Sequence, residues 1–208
     1  MTSVSPLVGV LMGSSSDWET LQHATQILAE FGVPHEARVV SAHRMPDDMF
    51  AYAEAAAGRG LQVVAFPQTG VMRAPGTLAL LEQAVREGAE VLGGLDPMGI
   101  DHDPRGQLDG LFGIVERHGC ELDIHLHDRG ELGAVTVEMI AERCAALGLR
   151  GRVVLSHAFC LGMLEPARLE VIVELLLRHD IAVMSHAPSG PTPFPPLKLL
   201  HERGVRLC

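Results

Sequence analysis

The chain has 208 residues, of which 47% are hydrophobic and only 4% aromatic, so it can bury a sizeable core built from Ala, Val, Leu, Ile and Met. Its formal net charge of -10 excludes nucleic acid as a partner, because phosphate backbones recruit Lys and Arg. No apolar run approaches the roughly 20 residues of a membrane helix and no secretory signal is recognisable, so a cytoplasmic protein is expected, with Cys120, Cys144, Cys160 and Cys208 as reduced thiols outside any CxxC spacing.

Leu7–Met12 is rich in Val and Leu and closes on Gly13, which predicts a strand. Trp18–Phe31 follows with apolar spacing near the helical repeat of about 3.6, and Ser16 or Asp17 is placed to cap its start. Ala37–Val40 is the next strand. Asp47–Ala57 is the second helix, with Pro46 suited to its first turn. Leu61–Phe66 is the third strand. The beat continues with helix Thr77–Glu87, strand Glu90–Leu95, helix Gln107–His118 and strand Glu121–Leu126. Then come helix Glu131–Leu147, strand Arg152–Ser156, helix Glu165–His179, strand Ile181–Ser185, helix Pro196–Arg203 and a final stub, Val205–Cys208.

Strands that alternate with helices imply βαβ units and a parallel sheet. The short apolar runs fit strands buried on both faces. Eight strand candidates with seven helices between them match a (β/α)8 barrel without its last helix. Pro188–Pro196 reads as a long loop after a strand. No linker or charge block divides the chain, so residues 1–208 are expected to form a single α/β domain.

Chemistry-bearing residues sit at the strand ends. Gly13-Ser14-Ser15-Ser16-Asp17 lies between a strand and a helix, where amides, hydroxyls and the helix dipole favour an anion. Helix capping is the plainer role for the same residues. After the second strand, Ser41-Ala42-His43-Arg44 offers a guanidinium for a phosphate or carboxylate and an imidazole for proton transfer.

Taken together, VGVLMGSSSDW and VPHEARVVSAHRMPD resemble the opening of the bacterial PurE family, the carboxyaminoimidazole ribonucleotide mutases. The resemblance covers roughly the first 60 residues and implies a flavodoxin-like fragment. It implies phosphate and substrate contacts at Ser14, Ser16, Asp17, Ser41 and Arg44, with His43 as the acid/base. The family's Gly/Ala-rich loop does not follow; the third strand leads into Pro67-Gln68-Thr69-Gly70 instead.

From Leu61 onward, LQVVAFPQTG, EVLGGLDP, LDIHLHD and VVLSHAF resemble the cytosine deaminase-like amidohydrolases. The resemblance implies strands three to eight of a metal-dependent TIM barrel acting on cyclic amides. It implies that Gln68 contacts substrate, His125 ligates metal, Asp128 stands in for an acidic proton shuttle and His157 orients the attacking water or a metal. That family draws its other ligands from a His-x-His on strand one and an Asp on strand eight. Strand one here ends in Met12-Gly13-Ser14, and the sequence reaches Cys208 without the Asp. His127 and Cys208 are the residues left to improvise, and His186 follows the seventh strand at the same mouth.

The expected architecture is thus an α/β, TIM-barrel-like chimera with a flavodoxin-like first quarter. The alternative is an open parallel sheet that keeps flavodoxin-like strand order. The expected function is that of a recombined or designed scaffold without efficient native catalysis and without a cofactor. The alternatives are binding of a phosphate or ribonucleotide, with residual mutase activity, through the first quarter, and a residual deaminase-like hydrolase with zinc or iron at an incomplete site. Open sheet edges invite a homodimer.

Overall fold

The structure is a computed structural model that describes residues 6–41, 44–57, 62–185 and 193–208. It divides into two compact units, Met1–Gln62 and Val63–Cys208. The division falls where the sequence changes family resemblance. Among the described residues no helix is long and apolar enough to cross a membrane.

In the first unit, β1 (Val8–Met12) pairs in parallel with β2 (His35–Val39), Val8 opposite His35 and Met12 opposite Val39. Helix α1 (Trp18–Glu30) joins them, and α2 (Pro46–Ala57) follows β2. Val10, Met12 and Val40 are buried, but no residue of α1 is. Phe31 at the end of α1 is 79% exposed. The expected cap of α1 is different in detail. Neither Ser16 nor Asp17 caps α1 with its side chain. A 3-10 turn, Ser15–Asp17, intervenes, and Ser14 and Asp17 form a capping box around it. The short side chains reach backbone amides two or three residues away before α1 begins.

The second unit is a five-stranded parallel sheet in sequential order: β3 (Val64–Ala65), β4 (Val91–Leu95), β5 (Glu121–His125), β6 (Val153–Ser156) and β7 (Ala182–Met184). Its helices are α3 (Thr77–Arg86), α4 (Pro104–His118), α5 (Gly130–Leu147), α6 (Pro166–His179) and α7 (Leu197–Arg203). The final stub pairs through a single parallel bridge between Leu207 and Val183. Val183 N donates to Arg206 O at 2.9 Å and Cys208 N donates to Val183 O at 3.2 Å.

Two element bounds differ instructively from the sequence expectation. The third strand is only Val64–Ala65, because Phe66 precedes Pro67 and turns out of the ladder, its carbonyl accepting from Gln68 N at 3.2 Å. Helix α4 starts at Pro104 rather than Gln107, because Asp103 caps it, Oδ1 accepting from Gly106 N at 2.9 Å.

The core lies between this sheet and its helices, with Leu92, Leu108, Leu122, Ile124, Ile140, Leu155 and Ile172 fully buried. Strand β5 is not a continuous apolar run. Its residues alternate, Leu122 and Ile124 into the core, Glu121, Asp123 and His125 onto the opposite face. Gly133 on α5 lets that helix close onto the turn Phe159–Gly162: a Cβ there would lie 2.6 Å from Cys160 Cβ.

Candidate metal centre

Strands β4, β5 and β6 each deliver a polar side chain at the carboxyl end, where parallel sheets assemble their sites. Asp96 follows β4, His125 ends β5 with His127 two residues on, and His157 follows β6. Two of these residues hold backbone conformations that side chains avoid, Asp96 at φ 33° and His157 at φ 71°. Both are tied down. His157 N donates to Met184 O at 2.7 Å, and Ser185 Oγ donates to the His157 carbonyl at 3.2 Å. Asp96 N donates to His125 O at 2.9 Å.

The three imidazoles converge. One ligand nitrogen from each of His125, His127 and His157 lies within 4.8 Å of the others. His157 Nε2 is 3.3 Å from His125 Nδ1. The rings of His127 and His157 are tilted with centroids 4.4 Å apart. Phe66 packs on His125 at 4.4 Å and Phe159 on His157 at 5.4 Å, walling the cluster with apolar rings. Gly93 makes room for Phe66, since a Cβ there would come within 2.8 Å of the phenyl ring.

Carboxylates surround the cluster. Asp96 is buried, and its Oδ2 lies 2.8 Å from His127 Nδ1. Its Oδ1 accepts from the amides of His127 at 2.5 Å and Asp128 at 3.2 Å. The hydrogen bond to Asp96 raises the His127 pKa against the opposing effect of burial. It also leaves His127 Nε2 as the nitrogen available to the cluster. Asp128 is buried, which raises its pKa, and the Asp96 charge adds to the effect. Its Oδ2 accepts from Gly99 N at 3.2 Å, so the carboxyl also closes the turn after β4.

The donor set suits an imidazole-loving divalent ion such as zinc, iron, nickel or copper. Two nitrogens bound at about 2.05 Å in a tetrahedron lie ~3.3 Å apart, which is the His125–His157 separation found here. Three protein ligands would leave one position open.

The site residues expected from sequence fall into three groups. His125, His157 and Asp128 lie together at this centre, joined by His127. Gln68 is exposed in the turn after β3. Ser14, Ser16, Asp17, Ser41 and Arg44 belong to the first unit. There Ser14 N donates to Asp17 Oδ2 at 2.9 Å, Ser16 N donates to Ser14 Oγ at 3.3 Å, Ser41 is buried and Arg44 is exposed. His43 and His186 lie outside the described residues. Asp96, Asp123 and Ser156 were not singled out by sequence. The Asp96-Pro97 pair reads as a turn after a strand, and nothing local signals its hold on His127.

Both halves have known relatives. A family model described as AIR carboxylase matches residues 7–79. The N5-carboxyaminoimidazole ribonucleotide mutase of Bacillus subtilis (strain 168) is 38% identical over 138 residues, 66% of this chain and 79% of the mutase. The crystal structure of N-isopropylammelide isopropylaminohydrolase from Burkholderia multivorans ATCC 17616 superposes with a TM-score of 0.74 at 36% identity. That match covers 93% of this chain and 55% of the hydrolase. The 5-methylcytosine deaminase from Klebsiella pneumoniae shares the fold, with a TM-score of 0.69 at 22% identity over 93% of this chain and 51% of the deaminase. The chain therefore spans about half the length of the solved hydrolases it matches. The α/β architecture is one of parallel sheets, with a mutase-like first part and TIM-barrel-like neighbours for the rest.

Proposed function

Because the chain belongs to the N5-carboxyaminoimidazole ribonucleotide mutase family and continues into an amidohydrolase-like unit, we propose that it is a fused protein whose chemistry resides in the second unit. That unit binds a divalent transition metal at His125, His127 and His157. Turnover of either relative's substrate is inefficient. The convergence of three ligand nitrogens within 4.8 Å carries this reading.

When bound, such an ion supplies Lewis-acid polarisation and a lowered water pKa. The chain's own groups do the rest. Asp96 holds His127 with Nε2 toward the cluster. Asp128, whose pKa burial raises, is the carboxyl beside the site that can carry a proton. Phe66 and Phe159 exclude water from one side. The names of the relatives point to a nitrogen heterocycle carrying an amine as the substrate class, and Gln68, exposed in the turn after β3, is the residue we assign to contact its ring. Catalysis is weak because the ligand set draws on only two strands, β5 and β6.

Metal analysis of the purified protein tests the reading. About one zinc, iron, nickel or copper per chain, lost in the triple variant His125→Ala, His127→Ala, His157→Ala, is the expected result. A chain that retains no metal after dialysis and takes up none on titration defeats it.

A second reading rests on the match over residues 7–79. The Ser14–Asp17 turn, Ser41 and Arg44 bind a phosphate group, with His43 as the associated acid/base. Calorimetry with inorganic phosphate and a nucleoside monophosphate tests this. Heat of binding that disappears in Arg44→Ala supports it, and no heat removes it.

A further inference from the structure

The polar face of β5 carries a second carboxylate that the metal reading leaves without a role. Asp123 stands two residues before His125, so both side chains project from the same face of the strand. Asp123 Oδ2 lies 3.6 Å from His125 Nε2. On its other oxygen, Asp123 accepts a hydrogen bond from Ser156 Oγ at 2.6 Å. Ser156 is fully buried at the end of β6, directly opposite His125 in the ladder. The Ser156 hydroxyl therefore fixes the Asp123 carboxylate, and the fixed carboxylate faces one nitrogen of His125.

We infer that Asp123 is the positioning residue of His125, locked by Ser156, and that it directs the Nδ1 lone pair of His125 into the cluster. The inference rests on the metal-centre reading. Imidazole in its neutral form carries one proton. A carboxylate 3.6 Å from Nε2 favours the proton there, since negative charge stabilises the polarised N–H. Nδ1 is then the acceptor, and Nδ1 is the atom 3.3 Å from His157 Nε2. The polar groups run in one direction: Ser156 hydroxyl to Asp123, Asp123 beside His125 Nε2, His125 Nδ1 facing His157. In the metal-free protein the proton on His157 Nε2 fills the gap between the two rings. A metal ion at that nitrogen takes the place of the proton, which the neutral ring then carries on Nδ1.

The neighbouring groups support the assignment. Opposite Asp123 on β4 stands Gly93, which brings no side chain to compete for the carboxylate. The Phe66 ring lies against His125 and restricts its rotation. Glu121 lies on the same face one step further back, exposed, at the start of the strand. It provides a control of matched charge.

The test uses the full chain and Zn2+ as the probe. Isothermal titration compares wild type with Asp123→Asn, Ser156→Ala and Glu121→Gln, each first checked for an unchanged thermal midpoint. The expected result is a 10- to 100-fold weaker affinity for Asp123→Asn, a smaller loss for Ser156→Ala, and wild-type affinity for Glu121→Gln. Equal affinity in wild type and Asp123→Asn overturns the inference. A second readout needs no metal. Long-range 15N–1H correlation spectra of the metal-free protein should show His125 protonated on Nε2, with a downfield proton that moves upfield in Asp123→Asn. A His125 Nε2 signal unmoved by that substitution overturns the inference even if zinc never binds. A zinc-blind wild type with a responsive His125 signal rejects the metal reading alone.

Discussion

Asp96 and His127 are joined twice: the carboxylate faces the ring Nδ1 at 2.8 Å and accepts the His127 backbone amide at 2.5 Å. One buried side chain thus fixes both the backbone after β5 and the ring that projects from it. Asp96→Ala should lower metal affinity by about 10- to 100-fold. It should also cost about 1–3 kcal/mol of stability, because the amides of His127 and Asp128 lose their acceptor. Zinc titration and urea unfolding on the same preparation check both. An affinity equal to wild type would remove Asp96 from the site.

Gln107 ties α4 to β4 from a fully buried position. Its Oε1 accepts from Leu95 N at 3.2 Å, and its Nε2 donates to Leu95 O at 3.0 Å and to Asp101 Oδ2 at 2.6 Å. Gln107→Leu keeps the bulk and removes the side-chain partner of both Leu95 backbone groups, while Asp101 Oδ2 keeps the amides of Val71 and Met72, so a loss of roughly 2–4 kcal/mol is expected. Chemical denaturation should show a lower midpoint with an unchanged slope. A shift below the error of the midpoint would contradict this account of the β4–α4 contact.

Glu82 on α3 receives His118 at 2.8 Å and Arg117 at 3.0 Å from α4. These hydrogen bonds, His118 first, hold its pKa down at about 2, below the ordinary 4.5. A depressed carboxyl stabilises the fold above its unfolded pKa and loses that contribution as pH falls toward the folded one. Wild type should therefore exceed Glu82→Gln in stability at pH 7. The two should converge between about pH 4.5 and pH 2. Parallel urea curves across that range, with a gap that does not close, would show that Glu82 acts by shape and not by charge.

The thiols differ sharply in access. Cys160 and Cys144 are buried, which pushes their pKa values up to about 12 and about 11. Cys120 is buried and shifted upward for the same reason. Cys208 is exposed. A chromogenic disulfide at pH 8 should titrate one thiol per native chain rapidly and the other three only after denaturation. Two or more fast thiols would mean that the packing around α5 opens readily.

The alternation of strand and helix was legible because apolar runs and helical spacing are local properties. Thr77–Arg86, Glu121–His125 and Gly130–Leu147 fall within a residue or so of the sequence expectation. The change of family resemblance near residue 60 falls at the boundary between the two compact units, although the absence of a linker reads as a single domain. The candidate metal centre was legible only in part. His125, His157 and Asp128 were singled out through the resemblance, and His127 only as a makeshift ligand. Asp96 and Asp123 were not, because their role depends on register between strands. Asp96 meets His127 across 31 residues of sequence, and Ser156 meets Asp123 across 33. No pattern within one strand encodes those pairings. The strand at Val64–Ala65 was overextended because the apolar run continues to Phe66 while the following proline ends the ladder.

The left-handed backbone at Asp96 and His157 sets the thermal interest of the molecule against its chemical interest. Each such residue costs on the order of 1 kcal/mol that a glycine would not. At Asp96 the two amides its carboxylate accepts outweigh that relief, so a library screened for heat tolerance alone should accept glycine early at His157 only. It would then discard the imidazole after β6. A screen that retains metal uptake as a second condition should keep it, and settle for the lower melting point.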